Sequence, residues 1–255
     1  MKLYRGISRR AYVGLAALSF SIFIAVWVVL SRSMESAAVF LPSPLDVVGA
    51  GLALFRERDF ASDVLASVYR VTAGFAAAVA VAVPVGLLAG TVKPVDALVQ
   101  PFNDFLRYLP VASLIPLSIL WVGIGDAQKI AIIFIGTVFQ LIPLVADTAA
   151  RVPKHLVELG YTMGASSRQV LLRVVLPWCM PTLHDHCRVA LGWAWSYLVV
   201  AELVAATSGI GHVIIQSQRF IQTGNVMASI VVIGLVGVLF DQLFRLSRRA
   251  LFPWL

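Results

Sequence analysis

The sequence predicts an all-α, polytopic membrane protein with six transmembrane helices, and three observations carry that prediction. Of its 255 residues, 60% are apolar and only 13% are charged; the mean hydropathy is +0.89; and several apolar runs reach the roughly 17–25 residues needed to cross hydrocarbon. A bilayer core offers no water to backbone N–H and C=O groups, so a crossing segment must be a helix or a strand of a closed barrel. The runs lack the period-two alternation of barrel strands, which leaves helices. The expected spans are 11–30, 71–90, 108–125, 130–146, 189–206 and 226–244.

Each element has a local justification. Before the first span stand Lys2, Arg5, Arg9 and Arg10, and after it the small residues Ser36-Ala37-Ala38. That pattern could serve a signal peptide, but an apolar run of about twenty residues exceeds the usual ~7–15, so a retained helix is expected. Leu41-Pro42-Ser43-Pro44-Leu45-Asp46 reads as a turn into a short helix, with Ser43 as N-cap and Pro44 in its first turn. Val47, Val48, Leu52, Leu54 and Phe55 would lie along the outer membrane surface or against the bundle. Gly86 and Gly90 thin one stripe of the second span and let another helix approach. Pro110, Pro116 and Pro143 interrupt the third and fourth spans, either shaping the packing or lining a path. No internal repeat is visible.

Basic residues set the orientation. With the N-terminus inside, fourteen Lys and Arg fall in inner segments and five in outer ones, with Arg70 at the outer edge of the second span. The positive-inside bias then places both termini and the loop 151–188 in the cytoplasm. The net charge of +7 is mostly this topology signal. Neither a basic helix nor an aromatic stacking motif asks for nucleic acid.

The cytoplasmic loop holds the most readable local chemistry. Pro153 leads into a short helix over 156–163, and Gly164 supplies the freedom to end it. Ser166 followed by Gln169 has capping-box spacing. The next helix shows Val170, Leu171, Val174 and Val175 on one side, and Pro177 is expected to stop it. Cys179 and Cys187 are too few for a disulfide framework and are expected to be inert, reduced thiols. Cys179, His184, His186 and Cys187 invite a zinc reading, but on a helix the two histidines would project about 200° apart. An Asp185–Arg188 pair with histidines facing solvent or headgroups is expected instead.

Three ionisable residues sit in or beside apolar spans. Arg70 is expected to snorkel at the outer interface, and Asp241 to pair with Arg245 one turn later. Glu202 lies well inside the fifth span with no opposite charge at i±3 or i±4. Its partner must come from another helix, another subunit or water, or burial keeps it protonated. Gate and packing readings are both open for it. No phosphate loop exists, since none of Lys2, Lys93, Lys129 or Lys154 follows glycine. Neither a Gly-x-Ser-x-Gly elbow nor a His-Glu-x-x-His motif is present, so no enzyme and no resident cofactor or metal is expected.

Glu158-Leu-Gly-Tyr-Thr-Met-Gly164, followed by Val174-Val-Leu-Pro177, resembles the cytoplasmic EAA loop of ABC-importer permeases. That loop reads Glu-Ala-Ala, three residues, Gly, nine residues, Ile, one residue, Leu-Pro. Glu158, Gly164, Leu176 and Pro177 fall on the pattern; Val174 replaces Ile, and Leu159 and Gly160 replace the alanines. The stretches Leu41-Pro-Ser-Pro-Leu45, Pro110-Val-Ala-Ser-Leu-Ile-Pro-Leu-Ser-Ile-Leu-Trp-Val-Gly-Ile-Gly125 and Gly192-Trp-Ala-Trp-Ser-Tyr-Leu-Val-Val-Ala-Glu-Leu-Val-Ala-Ala206 are similar to the nitrate/sulfonate/taurine branch.

The resemblance implies a type I importer permease, a single transmembrane domain over 1–255 in a bacterial inner membrane. Its implied partners are a second copy of itself, a cytoplasmic ATPase dimer that holds ATP and Mg, an external solute-binding protein, and membrane lipid. Glu158, Leu159, Gly160, Gly164, Ala165, Leu176 and Pro177 would couple the permease to the ATPase. The implied solute is a small anion, a sulfonate such as taurine or an alkanesulfonate, with nitrate, bicarbonate or another small solute as alternatives. A self-sufficient secondary transporter is the rival class; it would expect more buried charges and inverted repeats.

Overall fold

A computed structural model describes residues 8–33, 40–204 and 206–254. The Lys2–Arg5 part of the basic segment, the small residues Ser36-Ala37-Ala38 and Ala205 lie outside the described residues. Among the described residues the chain is almost entirely helical and has no strand. Its α-helices are α1 (Arg9–Ser33), α2 (Pro44–Glu57), α3 (Phe60–Thr91), α4 (Lys93–Leu106), α5 (Ile115–Val122), α6 (Asp126–Ala150), α7 (Lys154–Thr162), α8 (Ser167–Val170), α9 (Leu176–Leu203), α10 (Ile210–Arg219) and α11 (Thr223–Leu251).

By length and apolarity, α1, α3, α6 and α11 can cross a bilayer, and α4 with 111–122 makes one further pair bent by 88°. The six-span count is therefore not reproduced on that measure. The expected third span, 108–125, is corrected: it is no single helix. Pro110 and Pro116 lack N–H donors, and the chain passes through a 3₁₀ turn into the short α5, which ends at Gly123 with φ +82°. The expected fifth span begins within α9, which ends at Leu203; His184, Asp185, His186 and Arg188 just before it and Glu202 inside it make that helix less apolar.

The chain divides into two compact units, Met1–Phe60 with Val213–Val231, and Ala61–His212 with Val232–Leu255. In the smaller, Ser43 caps α2 in a full capping box with Asp46, and Pro44 stands in the first turn as its sequence requires. Small residues bring α2 against the start of α11: a Cβ on Gly51 would stand 3.6 Å from that of Ala228. The Trp27 indole of α1 donates to the Pro42 carbonyl at 3.1 Å. No residue of α1 is buried.

The larger unit is organised on α6, which packs along α9 and α3. The core joins Ala78 and Ala82 of α3, Val138, Leu141 and Val145 of α6, and Val170, Val175 and Cys179 after the corner. Gly86 and Gly90 mark the expected close approach. A Cβ on Gly86 would lie 2.6 Å from that of Val145, and one on Gly90 2.8 Å from that of Ala149. Gly136 of α6 sits against the Tyr197 ring, 2.5 Å from where a Cβ would stand.

Candidate functional site

The corner between α7 and α8 is fixed by backbone bonding that its own residues dictate. Gly164 has φ +81°, with nothing within 4 Å of where a Cβ would be, so conformation and not space demands glycine there. Its N–H bonds to the Tyr161 carbonyl at 2.9 Å, and the Ala165 N–H reaches back to Gly160 at 3.1 Å. These two bonds make a Schellman motif, which satisfies carbonyls that the helix end would otherwise leave open. Ser166 and Gln169 then close a reciprocal capping box, with Gln169 Oε1 accepting from the Ser166 N–H at 2.8 Å. Val170 and Val175 are buried, and Leu171 and Val174 pack against the same core. Gly160 lets α7 lie on that row, since a Cβ there would meet Val170 Cγ2 at 3.2 Å.

Pro177 does not stop the helix, contrary to expectation. The chain widens into a π-turn over Leu171–Val175 and runs on as α9. A proline at 177 cannot donate to the Arg173 carbonyl, and the wider i→i+5 spacing of the π-turn spans the same stretch that this gap disturbs. Leu176 is half-buried and Pro177 exposed at the start of α9, whereas Glu158, Leu159 and Met163 are exposed on or beside α7. The structure thus gathers Gly160, Gly164 and Ala165 into one corner, presents Glu158 and Leu159 on its surface, and puts Leu176 and Pro177 in the helix that follows.

Glu202 belongs to a separate, buried polar cluster. It is 1% exposed. Arg70 Nη1 donates to its Oε1 at 2.6 Å, the Ser67 hydroxyl lies 2.9 Å from the same oxygen, and the Gly211 N–H reaches Oε2 at 2.9 Å. Arg70 is not snorkelling, which corrects that expectation. It is 3% exposed, and its Nε bonds Asp126 at 2.7 Å while Nη1 and Nη2 hold the carbonyl and hydroxyl of Ser208. A guanidinium has five donors in a rigid fork, and here nearly all of them are used.

The same cluster caps α10. Asp63 accepts from the Gly209 N–H at 2.6 Å and Ser67 from the Ile210 N–H at 2.9 Å, so with Glu202 on Gly211 three consecutive donors at the helix start are satisfied. Gly209, at φ +107°, has no room for a side chain beside the Glu202 carboxylate, and a Cβ on Gly211 would stand 2.5 Å from that of Glu202. Of the partners left open for Glu202, other helices supply them: α3 through Arg70 and Ser67, and α10 through Gly211. Ser67, Asp63, Asp126 and Ser208 escape sequence reasoning, although Asp126 is a charge at the start of a span and Ser208-Gly209-Ile210-Gly211 is a recognisable tight approach.

Two further expectations change. Arg188 pairs with Asp241, not with Asp185, whose partner is Arg248 at 3.3 Å. The Asp241–Arg245 pair is present at 3.0 Å. The histidines do not face solvent or headgroups freely: His184 Nε2 lies 2.9 Å from the Ser247 hydroxyl of α11 and His186 Nε2 3.0 Å from Thr148 of α6. They are engaged by different helices, in accord with their divergence along α9. Cys179 is fully buried.

Comparison with known proteins follows the same architecture. Residues 82–255 match the family described as binding-protein-dependent transport system inner membrane component. A probable ABC transporter permease of Brucella melitensis is 33% identical over 97% of this chain and 99% of its own length. A permease assigned to aliphatic sulfonate transport in Bacillus subtilis is 31% identical over 92% and 85%, and the taurine transport permease of Escherichia coli 30% over 97% and 91%. Among solved structures, an inward-facing form of the MetNI methionine ABC transporter superposes with a TM-score of 0.69 at 19% identity, covering 75% of this chain and 95% of the other. That likeness establishes the type I ABC importer permease fold. The chain belongs to the family of inner-membrane permease components of binding-protein-dependent ABC importers.

Proposed function

We propose that this permease, one transmembrane domain over 1–255 with both termini in the cytoplasm, imports a small organic anion, a sulfonate such as taurine or an alkanesulfonate. It works as two copies of the chain with an external solute-binding protein and a cytoplasmic ATPase dimer, which holds the ATP and Mg; the permease itself hydrolyses nothing. The observation that carries the coupling part is the α7–α8 corner. A rigid, doubly capped turn carries Leu159 and Met163 at 56% and 79% exposure, an apolar surface on a short polar segment. Such a patch asks for a protein partner. Closure of the ATPases can do work on the membrane helices only through a stiff contact. Glu158, Leu159, Gly160, Gly164 and Ala165 form or shape that contact, and Leu176 and Pro177 carry the displacement into α9. Glu202 serves as a gate residue by holding the start of α10.

The sulfonate assignment is supported by the taurine and aliphatic-sulfonate relatives. A second reading, bicarbonate, is favoured by the bicarbonate transport permease of Synechococcus elongatus among the relatives. Reconstitution with its partner ATPase and solute-binding protein tests both. ATP-driven uptake of labelled taurine, resisting competition by bicarbonate and nitrate, is expected. Uptake of bicarbonate alone would move the substrate, and hydrolysis by the purified permease alone would overturn the division of labour.

A further inference from the structure

A cleft of about 650 Å³ opens between the end of α3, the end of α6 and the α7–α8 corner. It falls in the range of small-molecule sites. One face of α7 forms a wall, since Lys154, Val157, Glu158 and Tyr161 follow i, i+3, i+4, i+7. The floor includes Leu88 and Val92, apolar yet 39% and 40% exposed. Arg168 belongs to the lining as well. The lining therefore holds two cations against the single carboxylate of Glu158.

We infer that this cleft binds an anionic phospholipid, with its phosphate between Lys154 and Arg168 and an acyl chain along the Leu88–Val92 floor. The position suits that occupant. α3 is apolar enough to span a bilayer and ends at Thr91, so the cleft opens at the level where chains meet headgroups. Neither Lys154 nor Arg168 has an ion pair among the described residues. Basic pockets between membrane helices on the cytoplasmic side are suited to anionic headgroups. A segment of the ATPase fits less well, because Leu159 and Met163, the exposed apolar residues of the corner, lie outside the cleft lining, and of the proposed contact residues on the corner only Glu158 reaches it. The inference rests on the proposed cytoplasmic placement of α7 for the side of the membrane.

Native mass spectrometry of the permease–ATPase complex, exchanged into mixed phosphatidylglycerol and phosphatidylcholine, tests it. Wild type should retain phosphatidylglycerol selectively. Lys154→Gln with Arg168→Gln should cut that retention roughly tenfold. Val157→Trp, which fills the cleft without changing charge, should cut it as well. Equal retention in the charge variant, equal retention of both lipids, or displacement by millimolar inorganic phosphate would overturn the proposal. A permease that retains phosphatidylglycerol but never holds the ATPase would instead sink the coupling reading and leave the lipid site standing.

Discussion

The α7–α8 corner is written in consecutive residues, 158 to 169, whereas the Glu202 cluster assembles 63–70, 126 and 202–211 from helices far apart in sequence. The corner's stability comes from local geometry: one glycine with positive φ, two backbone bonds and a reciprocal cap. Each is worth on the order of 1 kcal/mol, and each stands without the others. The cluster is cooperative. Removing one member leaves buried donors or charges without partners, and the cost falls on the whole network. The corner can thus stay stiff while presenting a surface to a partner. The cluster can hold the start of α10 firmly or, once broken, release it.

The largest effect should come from Glu202→Ala. It strips Arg70 of its buried partner and orphans the Gly211 N–H and the Ser67 hydroxyl, a loss of about 3–5 kcal/mol by the precedent of broken buried pairs. Thermal unfolding in detergent should show it, and a loss under 1 kcal/mol would mean that the cluster is not cooperative. Glu202→Gln keeps an acceptor for Gly211 and should be milder. Arg70→Met combined with Glu202→Leu should recover part of the stability of Glu202→Ala yet still impair uptake if the cluster is a gate. Full uptake in that double variant would reduce it to a packing device.

Next comes Gly164→Val, which forces a β-branched residue to φ +81° and should cost about 1–2 kcal/mol. Its distinguishing consequence is functional. Hydrolysis should continue while uptake falls, because the corner loses its shape while the core below stays packed. Ser166→Ala should follow at about 1 kcal/mol, from loss of one cap. If both variants keep wild-type coupling ratios, the corner is not the mechanical link.

Legibility divides along the same line. Ser43 with Asp46, Ser166 with Gln169, Gly164 and the Gly86–Gly90 stripe were readable because the signal and its effect lie within a few residues or along one helix face. The third span is not legible because apolarity over 108–125 masks the break before Val111, where Pro110 stands and the path bends by 88° between α4 and the following segment. The burial of Arg70 is not legible because it depends on partners 56 to 138 residues away, and no local rule supplies them. Arg188 is similar, since its carboxylate comes from α11 and not from the neighbouring Asp185. The composition fixes how many such charges exist. Only the fold decides which meet.

The smallest structural effect should belong to Glu158→Lys, and that makes it the cleanest test of the corner. Glu158 is exposed, has no ion pair among the described residues, and does not take part in the Schellman bonds or the capping box. Its carbonyl accepts from the Thr162 hydroxyl at 2.9 Å, a bond that a changed side chain leaves alone. Melting temperature should therefore be that of wild type, in contrast to Glu202→Ala. If α7 docks on the ATPase, reversing this charge should weaken subunit association, and the loss should grow at low salt, where unlike and like charges are least screened. Co-purification of the ATPase at two ionic strengths reads this directly. Unchanged association at both would separate α7 from the docking surface, however well its corner is built.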